Sequence, residues 1–192
     1  MTATDEQLVE AALGGDGDAF PELVRRYQSR LFRFLLVRAS SRADAEDALQ
    51  DTFIAAYRYL ASFDPRWRFS TWLYRIGLRE AARGSQVAAE ELPELVDAEA
   101  DPLAHCIRES GSDNLWRTAR RCLAEEAYTA LWLRYVEDMS VRDVARAMDR
   151  KESWAKVTLM RARERLAKAL SEIAGAESRN ADSAQSVGGG YG

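Results

Sequence analysis

The chain has 192 residues, of which 47% are hydrophobic and 30% are charged, and its formal net charge is −4. No apolar run approaches the ~20 residues that a membrane-spanning helix needs, and the N-terminus lacks the pattern of a secretory signal. We therefore expect a cytoplasmic protein without membrane contact.

With 1 histidine and 2 cysteines, the composition gives no complete metal-ligand set and argues against nucleophilic catalysis. We expect neither an enzyme nor a bound metal or other cofactor. The adjacent His105 and Cys106 leave open a partial metal site or a redox switch, although ordinary reduced cysteines are the simpler interpretation.

The net charge conceals an uneven distribution along the chain. Residues 65–83 contain five arginines against one glutamate, and residues 138–170 contain nine basic against five acidic side chains. Residues 84–113 between them contain eight acidic side chains and a single arginine. The local field decides which ligand a surface attracts. The sequence therefore predicts two basic surfaces separated by an acidic segment.

Four helices are predicted in the first part of the chain, covering approximately residues 4–14, 18–35, 41–60 and 70–83. Thr4 and Gln7 form a capping box, and Asp18 and Ser41 are expected to cap the second and third helices. The break before the fourth helix contains Pro65, which disfavours a helix at the preceding residue.

The second part of the chain also has helical periodicity. It returns near Leu115, a capping box opens at Ser140, and a long final helix is expected to end near Ile173. We predict an all-α fold of two small helical domains, residues 1–84 and 114–173. An acidic linker, residues 85–113, joins them, and a flexible tail, residues 174–192, follows.

The third helix carries an unusual acidic face. Its expected core side comprises Leu49, Phe53, Ala56 and Leu60. The opposite side comprises Asp47, Gln50, Asp51 and Ile54. An apolar side chain ringed by polar groups is typical of a surface that binds another protein. This pattern favours a docking surface for a basic partner, while a merely solvated acidic face is the alternative.

Aromatic and arginine side chains alternate in residues 63–83. Trp67 and Phe69 precede the fourth helix, and one face of that helix carries Trp72, Arg75, Arg79 and Arg83. Rings that stack on bases and guanidinium groups that neutralise phosphates are typical of proteins that bind single-stranded DNA. The alternative is that the aromatic rings belong to the core and the arginines are solvated.

Residues 139–170 have the pattern of a helix-turn-helix, in which the second helix enters the major groove. Ala155, Leu159, Ala162 and Leu166 are expected to face the core. The residues available to DNA are then Lys156, Val157, Met160 and Arg161. A plain helical hairpin without DNA contacts remains the alternative.

In this order the three stretches resemble the extracytoplasmic-function (ECF) sigma factors of bacterial RNA polymerase, over almost all of residues 5–170. The stretch ADAEDALQDTFIAAYRYLASFDP is similar to the family's polymerase-binding helix. The stretch RFSTWLYRIG is similar to its promoter-melting and minus-ten segment. LWLRYVEDMSVRDVARAM, followed by RARERL, is similar to the fourth region, which reads the minus-thirty-five element.

The resemblance implies a sigma factor that directs promoter-specific transcription initiation. The implied partners are core RNA polymerase, through its β′ clamp helices and β subunit, and promoter DNA; an anti-sigma factor is left open. Asp47, Gln50, Asp51 and Ile54 would contact polymerase. The minus-ten and melting contacts would come from Trp67, Phe69, Trp72, Arg75, Arg79 and Arg83, and the minus-thirty-five contacts from Lys156, Val157, Met160 and Arg161.

The sequence also departs from the family pattern. Arg79 stands where asparagine is common, Ala124 stands where proline is common, and residues 149–160 replace a glycine-containing turn and its usual sequel. The departure at Arg79 counts against pocket reading of a flipped minus-ten base, and those in residues 149–160 imply a divergent or weakened reading of the minus-thirty-five element. Two other functions therefore stay open: a sigma-like interaction module, and a helix-turn-helix regulator that acts without polymerase.

Overall fold

The computed structural model describes residues 3–84 and 113–187, and every regular element in these ranges is helical. The first unit contains α1 (Asp5–Leu13), α2 (Ala19–Leu36), α3 (Arg42–Arg58), a 3₁₀ turn (Leu60–Ser62) and α4 (Phe69–Gly84). The second contains α5 (Asp113–Cys122), α6 (Glu125–Tyr135), α7 (Val141–Ala147) and α8 (Glu152–Val187). This confirms the all-α fold. Most of the expected acidic linker, including His105 and Cys106, lies outside the described residues.

Local hydrogen bonds fix where the helices of the first unit begin. At the start of α1 the Thr4 hydroxyl accepts from the backbone N–H of Gln7, and the Gln7 side chain accepts from the Thr4 N–H. Ser41 caps α3 in the same manner by accepting from the Asp44 N–H. The prediction for Asp18 was wrong. Its backbone is already helical and its side chain makes no capping bond, whereas its own N–H donates to Asp16 Oδ1 at 2.9 Å.

The core of the first unit lies where α2, α3 and α4 meet. Fully buried side chains at its centre include Leu23, Leu31, Leu35, Leu73 and Tyr74. The buried side of α3 is lined by smaller residues, Ala45, Ala48, Thr52 and Ala56, while Leu49 and Phe53 are only half-buried. Of the predicted core side, Ala56 and Leu60 are buried, but the buried face of α3 is rotated away from Leu49 and Phe53.

Small side chains let these helices approach closely. Gly77 of α4 is packed so tightly that a Cβ atom there would lie 3.2 Å from Leu31 Cδ1 and 3.6 Å from Thr52 Oγ1. The buried Thr52 hydroxyl has a hydrogen-bond partner within its own helix, because it donates to the Ala48 carbonyl. Close packing of α3 on α4 places the acidic face of one helix beside the arginine face of the other.

The second unit contains the helix-turn-helix that the sequence predicts. Ser140 caps α7 by accepting from the Asp143 N–H at 3.1 Å. The turn to α8 contains Asp149 with φ at +56°, a left-handed conformation that aspartate adopts more readily than most residues other than glycine and asparagine. The inward face of α8 comprises Ala155, Leu159, Ala162 and Leu166, all buried as predicted.

The final helix is longer than the sequence analysis expected. We predicted an end near Ile173 and a flexible tail over 174–192, but α8 continues to Val187. The extension contains no proline, and alanine and serine are its commonest residues. Its one glycine, Gly175, costs only about 1 kcal/mol of helix propensity, which is too little to end an established helix.

We expect Ser140→Ala to lower the free energy of unfolding by about 1 kcal/mol, because it removes the N-cap of the first helix of the helix-turn-helix. Urea denaturation followed by circular dichroism measures this. Ser140→Asp retains a cap and should keep most of the stability. Ser153→Ala, at an exposed position in α8, is the matched control, and an equal loss there would contradict the assignment.

Candidate functional site

The acidic face of α3 is exposed along its length, as the sequence predicts. Asp47, Gln50 and Asp51 are exposed, and Ile54 retains 48% of its accessible surface. An isoleucine this open to water is an exposed apolar group, with Gln50 and Asp51 on its N-terminal side and Arg58 one turn later in the same helix. The arrangement can bind a partner surface that offers basic groups around an apolar centre.

This face borders a groove of about 480 Å³ between α3 and α4. Its lining comprises Asp51, Ile54, Ala55, Arg58, Tyr59, Ile76, Arg79, Glu80 and Arg83. The groove therefore joins the acidic and apolar side of α3 to the arginine side of α4. The acidic face of α3 and the arginine face of α4, which were predicted as separate surfaces, are therefore neighbours.

The arginine face of α4 becomes more exposed toward the end of the helix. The side chains of Arg75, Arg79 and Arg83 are 39%, 59% and 76% exposed, respectively. Arg83 forms an ion pair with Glu80 at 2.8 Å on the same helix. The spacing of four residues places all three guanidinium groups along one side, as expected for a surface that follows a phosphate backbone.

Asp64 organises the loop that precedes α4, a role that the sequence analysis missed. Its carboxylate accepts from the Arg66 backbone N–H at 3.0 Å, from the Arg66 guanidinium and from the indole Nε1–H of Trp67 at 3.0 Å. These bonds, led by those from the Arg66 side chain, hold the pKa of Asp64 well below its usual range. The position of Trp67 is thereby fixed before any ligand binds.

The three aromatic residues near α4 have different environments. Phe69 is only 1% exposed and packs edge-on against Tyr27 and Phe63, so it belongs to the core and presents no ring face for a base. Trp72 is half-buried and contacts both Phe63 and Phe69. The expectation of three exposed stacking rings is therefore wrong: Phe69 fills the apolar gap between α2 and α4, and Trp67 and Trp72 are both half-buried.

The recognition helix α8 presents the predicted residues to solvent. Lys156, Val157, Met160 and Arg161 are all exposed, with Val157 at 43% and Met160 at 45%. Lys156 forms an ion pair with Glu152 at 2.7 Å, one turn earlier in the helix. The face thus combines two cationic and two apolar groups, which fits phosphates and thymine methyl groups better than an array of guanines.

The structure also brings the two units together, which the sequence did not reveal. Arg75 Nη2 lies 2.7 Å from Asp149 Oδ1, and Arg79 Nη2 lies 4.0 Å from Asp149 Oδ2. The guanidinium groups of Arg142 and Arg146, both on α7, lie over the ring of Trp67. Burial, reinforced by the nearby charge of Arg142, lowers the pKa of Arg146.

In the further hydrogen bonds and ion pairs between the units, the first unit supplies an arginine and the second unit supplies an acceptor oxygen. Arg30 Nη2 lies 2.6 Å from Glu137, whose side chain is only 1% exposed. Arg38 bonds to the Thr129 hydroxyl and lies 2.8 Å from Glu125. Arg68 donates to the backbone carbonyl of Asp138 at 3.3 Å. These paired residues lie far apart in the sequence, so helical periodicity could not predict that they meet.

Two parts of the chain match regions of one protein family. Residues 23–86 match Sigma-70 region 2, and residues 116–166 match Sigma-70, region 4. These matches cover the acidic face and the arginine face in the first case, and the helix-turn-helix in the second.

Whole-chain relatives decide the subfamily. The RNA polymerase sigma-H factor of Pseudomonas aeruginosa is 34% identical over 88% of this chain and 95% of its own. The ECF RNA polymerase sigma-E factor of Haemophilus influenzae is 35% identical over 84% of this chain and 92% of its own. The chain belongs to the ECF sigma factors. Its function is therefore promoter-specific transcription initiation.

The fold of a solved structure agrees with this assignment. The structure of CnrH in complex with the cytosolic domain of CnrY matches with a TM-score of 0.64 and 24% identity, covering 88% of this ECF sigma factor and 97% of that chain. Within residues 3–84 and 113–187, no helix is long and apolar enough to cross a membrane. The same ranges contain no group of three or more potential metal ligands among histidine, cysteine, aspartate and glutamate.

Proposed function

We propose that this ECF sigma factor binds core RNA polymerase through the acidic face of α3 and contacts promoter DNA through α4 and α8. The exposure of Ile54 among Asp47, Gln50 and Asp51 is the observation that supports the first contact most directly. Asp47, Gln50, Asp51 and Ile54 carry two negative charges and no positive one, so this part of α3 attracts a basic partner helix and repels an acidic one, while Arg58 marks the end of the acidic stretch. In this proposal the β′ clamp helices of polymerase are that partner.

The proposed DNA contacts are of two kinds: contacts to phosphates, which position the DNA, and contacts to bases, which read its sequence. Arg75, Arg79 and Arg83 are assigned to phosphates of the melted strand near the minus-ten element, while Trp67 and Trp72 provide ring faces for unstacked bases. On α8, Lys156 and Arg161 are assigned to the minus-thirty-five duplex. Val157 and Met160 can add only apolar contacts, so we expect few direct base contacts and more dependence on DNA shape.

The proposed role requires no catalytic step by this chain, because polymerase carries out the chemistry and the sigma factor positions the DNA. We accordingly assign no catalytic residue and no cofactor. We place the protein in the cytoplasm, where both proposed partners are found.

We expect the double substitution Asp51→Arg with Ile54→Glu to weaken core binding by about 100-fold or more, because it reverses a charge and removes the apolar anchor. Both positions are exposed, so folding should lose little. Pull-down with core polymerase measures binding. Glu10→Arg with Leu13→Glu is the matched control, because α1 also places an acidic residue three positions before an exposed apolar one. Core binding at wild-type strength in the α3 variant would contradict the proposal.

Arg75→Ala with Arg79→Ala should reduce open-complex formation on a duplex promoter by about tenfold, because two phosphate contacts to the melted strand are lost. The loss should be much smaller on a template that contains a pre-melted bubble. Permanganate footprinting of both templates measures the difference. Arg25→Ala, an exposed arginine on α2, is the control. An equal loss on both templates would indicate general phosphate binding instead of a role in melting.

The role of Arg161 can be decided by its sequence dependence. If it reads a guanine, Arg161→Ala should cost ~1–3 kcal/mol and relax preference at a single base pair. If it holds a phosphate, as we expect, binding should weaken equally on all sequences and the salt slope should fall by about one. Selection from a randomised upstream element, performed with holoenzyme, separates the two. A sharp motif of several guanines or cytosines would rule out the shape-based reading.

A further inference from the structure

The surfaces proposed for promoter contact lie against each other. Helix α4, which carries the arginine face, packs on α7 of the helix-turn-helix. The turn between α7 and α8 places the Asp149 carboxylate between two guanidinium groups, 2.7 Å from that of Arg75 and 4.0 Å from that of Arg79. A single carboxylate therefore neutralises two of the arginines that the proposed function assigns to DNA phosphates.

The backbone at Asp149 does not by itself call for an aspartate. With φ at +56° the residue is left-handed, a conformation that glycine or asparagine adopts at lower cost. The Asp149 side chain is 71% exposed and contributes nothing to the core. Its carboxylate is held out from the turn toward α4, and its ion pairs are with α4.

The aromatic part of the proposed DNA surface is covered at the same time. Arg142 lies 4.7 Å from the centre of the Trp67 ring, and Arg146 lies closer over the same ring. Arg146 also closes a hollow of about 270 Å³ whose other lining residues belong to the first unit, including Trp67, Trp72 and Arg75. A guanidinium group over an indole ring occupies the space in which a base would stack.

We propose that Asp149 is an internal phosphate mimic: its carboxylate takes the place of a DNA phosphate on Arg75 and Arg79. Together with Arg142 and Arg146 over Trp67, it keeps the free sigma factor closed against DNA. The inference rests on the proposed function only in taking the arginine face of α4 as a DNA surface. We call this set of contacts the latch.

The ion pairs of the latch are weak enough for a competing anion to displace them. Both of its ion pairs are exposed to solvent, so salt screens them and each contributes weakly. The Arg30–Glu137 pair is different, because Glu137 is buried. A DNA strand brings several phosphates, whereas the turn offers one carboxylate, so DNA can displace the latch by competing for the same guanidinium groups.

Asp149→Asn is the sharpest test, because it removes the charge while keeping the size of the side chain and its tolerance of the left-handed backbone. In the full chain without polymerase, we expect it to raise the affinity for a mixed-sequence single-stranded DNA of about 20 nucleotides by about two- to fivefold at low salt. Fluorescence anisotropy measures the affinity. Small-angle X-ray scattering should show a larger radius of gyration.

Asp138→Asn is the matched control. Asp138 is also an aspartate with positive φ, at +50°, in a turn of the same unit. Its side chain is 96% exposed and faces Arg134 of its own unit at 3.7 Å, and only its backbone carbonyl contacts the first unit. We expect this variant to match the wild type in DNA affinity and in radius of gyration. An equal gain in both aspartate variants would overturn the proposal, because the effect would then belong to the turns and not to the Asp149 carboxylate.

A charge exchange tests closure without relying on DNA. Arg75→Glu and Asp149→Arg should each enlarge the radius of gyration, and the double variant should restore most of the compact value. If the double variant stays as expanded as the single ones, the pair does not hold the units together and the latch is refuted. Circular dichroism confirms folding in each case, and Asp149→Gly replaces Asp149→Asn if the latter unfolds.

The experiments can refute the latch and the proposed function independently of each other. Wild-type protein that fails to direct transcription with core polymerase would refute the proposed function and leave the scattering comparison valid. Transcription that proceeds, with Asp149→Asn unchanged in both radius of gyration and DNA affinity, would refute the latch alone. Expansion without tighter DNA binding would also refute it, since a mimic must compete with the phosphate that it replaces.

Discussion

A buried carboxylate fixes how the two helical units meet. Glu137 follows α6, its side chain is 1% exposed, and Arg30 of α2 lies 2.6 Å away. A buried charge without a partner costs several kcal/mol, so Arg30 stays beside Glu137 in the closed arrangement, whereas opening returns both groups to water. Burial, followed by the charge of Glu137, raises the pKa of the neighbouring Tyr74 far above its usual value, which keeps that phenol neutral. The orientation of α4 toward α7 depends on this anchor.

In the proposed function, the arginine-rich surface that meets acidic groups of the second unit also binds DNA phosphates. Arginines of the first unit meet carboxylates or carbonyls of the second at Glu125, Glu137, Asp138 and Asp149. The same surface includes the face assigned to DNA phosphates. The net charge of −4 for the whole chain is therefore compatible with a DNA-binding protein, since acidic groups that compensate the arginines are part of the same chain.

Apart from the cap at Asp18, features that depend on neighbouring residues could be predicted from the sequence, and features that depend on distant residues could not. The caps at Thr4, Ser41 and Ser140 were found because a cap needs only three residues of context. The exposed faces of α3 and α8 followed from helical periodicity. The burial of Phe69 was missed, because an aromatic residue at the start of a helix has the same pattern in a core as on a surface. The latch was also missed, since Arg75 and Asp149 are brought together only by the packing of α4 on α7.

The closed arrangement also limits which partner can open it. A ligand shifts an equilibrium between two conformations only through its difference in affinity for them. The acidic face of α3 is exposed while the units are closed, so docking there alone does not distinguish the closed from the open form. Contact with Arg75 and Trp67 does distinguish them, because Asp149, Arg142 and Arg146 must first leave. In the proposed function, opening is therefore driven by promoter DNA, or by a polymerase surface that binds the second unit in a position away from α4.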